Sequence, residues 1–504
     1  MTTRSQWIFL IIIAALAFLM FSPTEDFPSG NFVSGSGNEH PNVIFIRTDD
    51  QDYRSIEAKL PNGDFVIKNV REMIMQPGTK FTRSFVSFPL CCPSRATTLT
   101  GQLPHNHKVL SNGLPYGGYT KLYHGNTLPM WLQDAGYYTI HVGKYLNGYN
   151  VANSQQGLPP PPPGWNKWYT LIGGIHAYYD YQIYDGQQIL QFGTGSGYYQ
   201  TDVLTRKTLE YLYKRPYSNR PFFLQLDYIA PHADGDSGSV LATPADRHLG
   251  MMDNVSLPMP PSFNEANVSD KPMNIQSLPL MSGQDILQVA TIYRRRMESL
   301  LAVDEGVKRI IEMLESTNQL NNTIIIFTSD NGYLHGEHRV KQGKHLPYEP
   351  LQVPLFIRGP DIPRGKVIHQ LVVNTDYAAT IAEWAGAVPG LPQDGRSLVP
   401  LINGVTSGWR TDLLFENPKI NNYIGLRTKN SNNGREYLYT EYDYNEDNIT
   451  DERELYTLTA DECRPIGDPY QLESQHNNSC YTNLIQQFHQ RLVLLKNCVG
   501  STCQ

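Results

Sequence analysis

The sequence predicts an α/β fold with a large central mixed sheet flanked by helices, followed by a smaller C-terminal α+β subdomain built on an antiparallel sheet. Three observations predict it. Short apolar runs at 43–48 (VIFIRT), 137–142, 222–228, 323–328 (TIIIFT) and 353–357 read as buried strands. Helical patterns at 127–136 and 286–317 lie between them, and strands alternating with helices make an α/β sheet. Four of the runs lead straight into charged or polar residues: Asp49-Asp50, Gly143-Lys144, Pro231-His232 and Ser329-Asp330-Asn331-Gly332. In open α/β sheets ligands gather at the carboxyl ends of strands, so these residues are expected to converge on one site.

In chain order, residues 7–21 form an apolar run with Arg4 before it and Glu25-Asp26 after it. Its length suits a signal-peptide core and falls short of a comfortable membrane span. The nearest small-x-small site, Ala15-Leu16-Ala17, lies inside the run, and no clean cleavage site follows. Residues 1–22 therefore read equally as a cleaved signal or an uncleaved N-terminal anchor. Either places the body outside the cytosol, because the positive charge precedes the run. Residues 23–40, rich in Gly, Ser and Pro, read as a flexible stalk.

The strand and helix alternation occupies residues 41–400. Within it, 159–163 is an unbroken proline run and must be extended surface chain. Residues 234–271 read as one long loop, of a length that is usually functional or mobile. The helical pattern at 286–317 is expected to break around Asp304-Glu305. From 401 to 504 the pattern changes. Residues 423–427 and 436–440 read as antiparallel strands and 479–496 as a terminal helix. Cys463, Cys480, Cys498 and Cys503 cluster there and suggest two disulfides, with three pairings open.

Composition sets outer bounds. With 504 residues the chain can bury a large core and hold more than one domain. A net charge of −7 supplies no global basic field, which argues against nucleic acid as a partner. A membrane enters only through the N-terminal segment. Asn254, Asn267, Asn321, Asn448 and Asn477 begin N-x-S/T triplets, a weak sign of a secretory route.

Two constellations carry chemistry. The first is Cys91-Cys92-Pro93-Ser94-Arg95 with Thr100-Gly101 behind it. Pro93 suits the first turn of a helix, where its missing N–H costs nothing. Cys91 and Cys92 then sit at a helix N-terminus, where free N–H groups and the dipole favour an anion. Arg95 adds a fixed positive fork one turn in. The second is Asp49, Asp50, Asp330 and Asn331, three carboxylates and an amide oxygen. Such hard ligands suit Ca²⁺, or less well Mg²⁺, rather than Zn²⁺.

These motifs resemble those of type I sulfatases of the alkaline-phosphatase-like superfamily. The likeness runs from about residue 40 to 475. Besides CCPSR and TDD (48–50), it includes GKY (143–145), PH (231–232), TSDNG (328–332), GEH (336–338), GK (343–344) and YE (348–349). With PHNH (104–107) and GKYLNGY (143–149), the chain is most similar to N-acetylglucosamine-6-sulfatases and related arylsulfatase-like proteins.

The resemblance implies a catalytic domain at 41–400 and a sulfated sugar or small molecule as substrate. It implies that a formylglycine-generating enzyme converts Cys91 to 3-oxoalanine (formylglycine). It further implies catalytic roles for Cys91, Arg95, Lys144, His232 and Lys344. Of these, Lys144, His232 and Lys344 bind sulfate. One divalent ion is held by Asp49, Asp50, Cys91, Asp330 and Asn331. One departure stands out. Many members read G-K-W-H, and the histidine position is Leu146 here, followed by Asn147. His335, His338, His105 and His107 are weaker candidates for the cleft. Two rivals remain: a phosphodiesterase or phosphonate hydrolase of the same superfamily, and an inactive binding protein on this fold.

Overall fold

The computed structural model describes residues 40–149, 160–214, 220–430 and 433–504. The apolar run at 7–21, the stalk up to residue 39 and the first proline of 159–163 lie outside the described residues. Among those described, no helix is long and apolar enough to cross a membrane.

The strands in chain order are β1 (Asn42–Thr48), β2 (Thr79–Phe81), β3 (Ser84–Phe85), β4 (Tyr138–Gly143), β5 (Lys167–Gly173), β6 (Tyr181–Tyr184), β7 (Ile189–Phe192) and β8 (Phe222–Asp227). They continue as β9 (Thr323–Ser329), β10 (Leu355–Arg358), β11 (Lys366–Ile368), β12 (Val372–Val373), β13 (Asp412–Asn417), β14 (Tyr423–Lys429), β15 (Glu436–Tyr442) and β16 (Glu452–Thr457). The large sheet runs β11-β2-β10-β9-β1-β8-β4-β5-β6-β7. Its middle, β9 through β5, is parallel, and antiparallel pairs flank it on both sides. The sheet is therefore mixed, as expected.

β1 sits at the centre, between β8 and β9, and every one of its residues is buried. A strand covered on both faces needs apolar side chains throughout, which is why VIFIRT does not alternate with polar residues. Its period-2 geometry still divides the core. Ile44 and Ile46 pack with Leu204, Leu300 and Val307 of the helices Gln200–Lys214 and Gly283–Ser316. Val43 and Phe45 face the other way, toward Leu99, Trp131 and Ile381 of the helices Cys91–Thr100, Leu128–Asp134 and Asp376–Ala385.

One expectation is corrected. The helix at 286–317 does not break at Asp304-Glu305 but runs unbroken from Gly283–Ser316, started by a Ser282/Asp285 capping box. Asp304 faces inward and accepts from the amides of Asn69 (3.0 Å) and Val70 (2.8 Å) and from Asn69 Nδ2 (2.6 Å). It thus satisfies the orphan donors of the short turn Lys68–Val70. Asp304→Ala is expected to lower stability by about 2–3 kcal/mol, because it strands buried donors. A denaturant midpoint unchanged within experimental scatter would contradict this.

Beyond the large sheet, β13-β14-β15-β16 form an antiparallel sheet. The helix Thr482–Leu495 packs on it through Leu492 and Leu495. Cys463 pairs with Cys480 and Cys498 with Cys503, which selects one of the three pairings. Glu454 of β16 accepts from the hydroxyls of Tyr348, Tyr442 and Tyr456. Through Tyr348 this small sheet braces the segment that carries Lys344.

Candidate active site

The four strand ends meet. β1 delivers Asp49 and Asp50, with Asp50 in the left-handed region at φ 68°, which aspartate tolerates better than bulkier residues. Next to it, β9 delivers Asp330 and Asn331, and Asp330 Oδ1 accepts from the Asp50 amide at 3.1 Å. β4 ends at Gly143 (φ 108°), where a Cβ would sit 2.0 Å from the Asp227 carbonyl oxygen. Only glycine lets β4 hug β8 there, and Lys144 follows directly. The chain after β8 carries His232.

The Cys91–Thr100 helix aims its N-terminus into this cluster. The Cys91 thiol donates to Asp49 Oδ1 (3.5 Å) and accepts from Lys344 Nζ (3.1 Å). Lys344 also donates to Asp50 Oδ1 at 2.6 Å. Lys144 donates to Asp49 Oδ2. Arg95, fully buried, donates to Asp49 Oδ2 (3.0 Å), Asp330 Oδ2 (2.8 Å) and the Lys144 carbonyl (2.7 Å). His232 places Nε2 3.6 Å from Asp50 Oδ2, while its Nδ1 donates to the Ala233 carbonyl at 2.7 Å.

Electrostatics follow from this packing. Burial alone would raise Asp49, but Lys144, His232, Arg95 and Lys344 overcome it and hold its carboxyl well below the usual range. Asp50 is lowered in the same way, with burial opposed chiefly by Lys344. Asp330 goes up, because burial and the nearby Asp49 charge outweigh Arg95. Burial and Asp49 push the Cys91 thiol to about 11, so it stays protonated and is a poor thiolate nucleophile. Burial lowers His232 to about 4.

The donor set fits a hard divalent cation. Ligand atoms of Asp49, Asp50, Cys91 and His232 lie within 4.8 Å of one another. Asn331 spends Nδ2 on Asp50 Oδ1 (2.7 Å) and the Gly332 carbonyl (2.9 Å), which leaves its buried Oδ1 without a partner. An orphaned oxygen beside two ionised carboxylates is a free ligand position. Both Asp330 oxygens already serve Arg95 and the Asp50 amide, yet each retains a lone pair.

The weaker histidines stand apart. His335 accepts from Arg296 Nε, His338 bonds Glu265, His105 bonds Glu416, and His107 bonds Thr97. Asn147 turns to Cys92, its amide donating to Cys92 Sγ at 3.1 Å.

Three functional residues escape sequence reasoning. Arg296, inside a long helix, donates to the carbonyls of Asp50 and Pro231 and ties the two loops together. Asp227, read only as strand, pairs with Arg47 (2.6 Å) and backs Arg95 at 3.7 Å. His176, on the loop after β5, reaches Lys144. None lies in a motif, and only the partner's position reveals each role.

A mixed sheet flanked by helices that gathers a buried cysteine, paired carboxylates and inward-facing ammonium groups at its strand ends makes a pocket suited to anionic esters. The chain belongs to the sulfatase family, whose sequence profile matches residues 41–387, and it hydrolyses sulfate esters. A second profile, N-sulphoglucosamine sulphohydrolase C-terminal, matches residues 336–497. The chain is 32% identical over 515 residues to human N-acetylglucosamine-6-sulfatase, covering 94% of this chain and 88% of that one. It is 35% identical over 396 residues to an extracellular sulfatase Sulf-1 homologue of Caenorhabditis elegans, covering 75% of this chain and 53% of the relative, so it spans about half that relative's length. Among solved structures, a protein in complex with its substrate D-glucosamine-2-N,6-O-disulfate matches with TM-score 0.72 and 24% identity, over 90% of this chain and 97% of that one. At that identity the likeness is one of fold.

Proposed function

We propose that this sulfatase removes sulfate from a sulfated carbohydrate or aryl sulfate, in the manner of an N-acetylglucosamine-6-sulfatase. Residue 91 serves as formylglycine and one divalent ion, best suited to Ca²⁺, sits at Asp49, Asp50, residue 91, Asp330 and Asn331. One observation carries this reading. Cys91 stands between Asp49 (3.5 Å) and Lys344 (3.1 Å) at a helix N-terminus, yet its thiol is held protonated. The position is built for a nucleophile, and an unmodified cysteine is a poor one there.

Formylglycine at residue 91, once hydrated, would supply one hydroxyl as nucleophile toward sulfur and a second whose deprotonation would expel sulfate with return of the aldehyde. The cation supplies positive charge against the sulfate oxygens. The chain's own residues do the rest. Asp49, ionised, accepts a hydrogen bond from residue 91 and orients it. Arg95 offsets the carboxylate charge and fixes Asp49 relative to Asp330. Lys144, Lys344 and His232 surround the sulfate oxygens, and the departing alcohol is protonated by Lys344, or by His232 once its Nε2 has taken up a proton from the incoming anionic ester's surroundings.

The domain reading keeps a catalytic body at 41–400 and a C-terminal subdomain at 401–504. Export is supported by the two disulfides and by five N-x-S/T asparagines that are all exposed. The destination is secretion, an endomembrane or lysosomal lumen, the periplasm, or the outer face of a membrane. A formylglycine-generating enzyme is the implied partner in biosynthesis.

The clamp is tested by kinetics on an aryl sulfate. Lys144→Ala and Lys344→Ala are each expected to lower kcat/KM at least about a hundredfold, on the order of 3 kcal/mol. Lys341 is the control. It lies in the same segment but is half exposed and pairs with Asp285 at the surface, so its removal should cost about 1 kcal/mol or less. Equal, small effects at all three lysines would sink the clamp.

A further inference from the structure

Two residues after Lys144, where the family resemblance implies a histidine, stands Leu146, buried among apolar residues with Cys92 and Leu99. Another imidazole occupies the flank of Lys144. His176, on the loop after β5, brings Nε2 to 3.1 Å from Lys144 Nζ. An ammonium has only protons to offer, so Nε2 must present a lone pair and Nδ1 must carry the ring proton. The same ring stacks on His232, with centroids 4.4 Å apart and planes 16° apart. Asp236 fastens it from behind. The His176 amide donates to Asp236 Oδ2 at 2.5 Å, and Nδ1 lies 3.8 Å from that oxygen.

We propose that His176 is a positioning residue of the active site, whose neutral ring sets the Lys144 ammonium and the His232 imidazole against the same sulfate group. This role presupposes the sulfate-binding function assigned above to Lys144 and His232. The geometry explains how it acts. An ammonium has three N–H bonds. One goes to Asp49 and one to His176, so tetrahedral geometry fixes the direction of the third. Without His176 the ammonium is free to rotate about its contact with Asp49, and His232 loses the surface that holds its ring plane. Leu146 therefore does not leave the lysine unsupported. Support comes from a different strand end.

Three variants of the full-length enzyme test this on an aryl sulfate, with inorganic sulfate as a competing product. His176→Phe keeps a stacking ring but removes the acceptor. His176→Gln restores an acceptor oxygen, and His176→Ala removes both features. The Phe and Ala variants are expected to lose about 10- to 100-fold in kcat/KM, and inhibition by sulfate should weaken by a similar factor. The Gln variant should recover to within about fivefold of wild type, with thermal midpoints alike across the set. A merely structural residue would move the thermal midpoint and leave sulfate inhibition alone. Wild-type kcat/KM in His176→Phe overturns the proposal, as does a His176→Gln enzyme no better than His176→Ala. Should the Phe variant not fold, the Gln and Ala pair makes the same comparison. A wild-type enzyme silent on every sulfate ester instead overturns the reading of the site itself.

Discussion

Cys91→Ala is expected to abolish sulfate-ester hydrolysis, while Cys92→Ala keeps most of it. The two thiols are neighbours in sequence and both are buried, yet their surroundings differ in kind. Cys91 meets Asp49 and Lys344. Cys92 accepts from the Asn147 amide, donates its own amide to Asn112 Oδ1 at 2.9 Å, and packs with Ala96, Leu99 and Tyr145. Burial raises its thiol to about 12, and no charged side chain bonds it directly. Truncating Cys92 removes one small buried group and should cost about 1–2 kcal/mol of stability, not the reaction. Mass spectrometry of the peptide around Cys91 supplies an independent check. Formylglycine would lower its mass by about 18 Da, unlike any rung of thiol oxidation. An inactive Cys92→Ala beside an active Cys91→Ala would reverse the assignment.

Asp50→Ala should cost at least about a thousandfold in kcat, on the order of 4 kcal/mol, and should remove the bound metal. Asp50 is the hub of the cluster. Its Oδ1 accepts from Lys344 and Asn331, and its Oδ2 faces His232. Deleting it leaves a buried ammonium and an amide without their shared acceptor. It also removes one of two carboxylates held ionised against the cost of burial. The expected reading is one Ca²⁺ per chain in the wild type and a sub-stoichiometric amount in the variant, by elemental analysis after dialysis. Two Zn²⁺ per wild-type chain would favour the phosphodiesterase alternative.

The large-scale layout was legible because its signals are local. β1, β4, β8 and β9 announce themselves as apolar runs, and each is followed within a few residues by the polar group it delivers. A continuous apolar run is what a doubly covered parallel strand requires. The strands β6 and β7, at one margin of the large sheet, were not legible. They are short, β7 is largely exposed, and neither carries an apolar run. The unbroken helix at Gly283–Ser316 was misread for a related reason. Asp304 looks like an interruption until its partners at 69 and 70 are known, and those lie 235 and 234 residues away. His176 and Asp227 show the limit most clearly. A lone histidine after two glycines and an aspartate inside a strand carry no spacing signal. Their meaning lies in Lys144 and Arg95, which approach only in the folded chain.

The burial of Cys91 also sets a clock. The residue is 0% exposed, sealed by Asp49 on one side and by Lys344 on the other. At 0% exposure the thiol offers a second protein no surface to engage. Lys344 lies 253 residues after Cys91, so the ribosome exposes the thiol long before the residue that closes over it exists. At about 5–20 residues per second, that interval is on the order of 10–50 s. On the proposed conversion of Cys91 to formylglycine, catalytic competence would be decided in that interval, while the polypeptide is still being made. On the same proposal, a molecule that closes early would keep a plain cysteine, and converting it later would require unfolding. Slower elongation, or a delayed arrival of β9 in the sheet, should therefore raise the active fraction without altering a single contact in the finished protein.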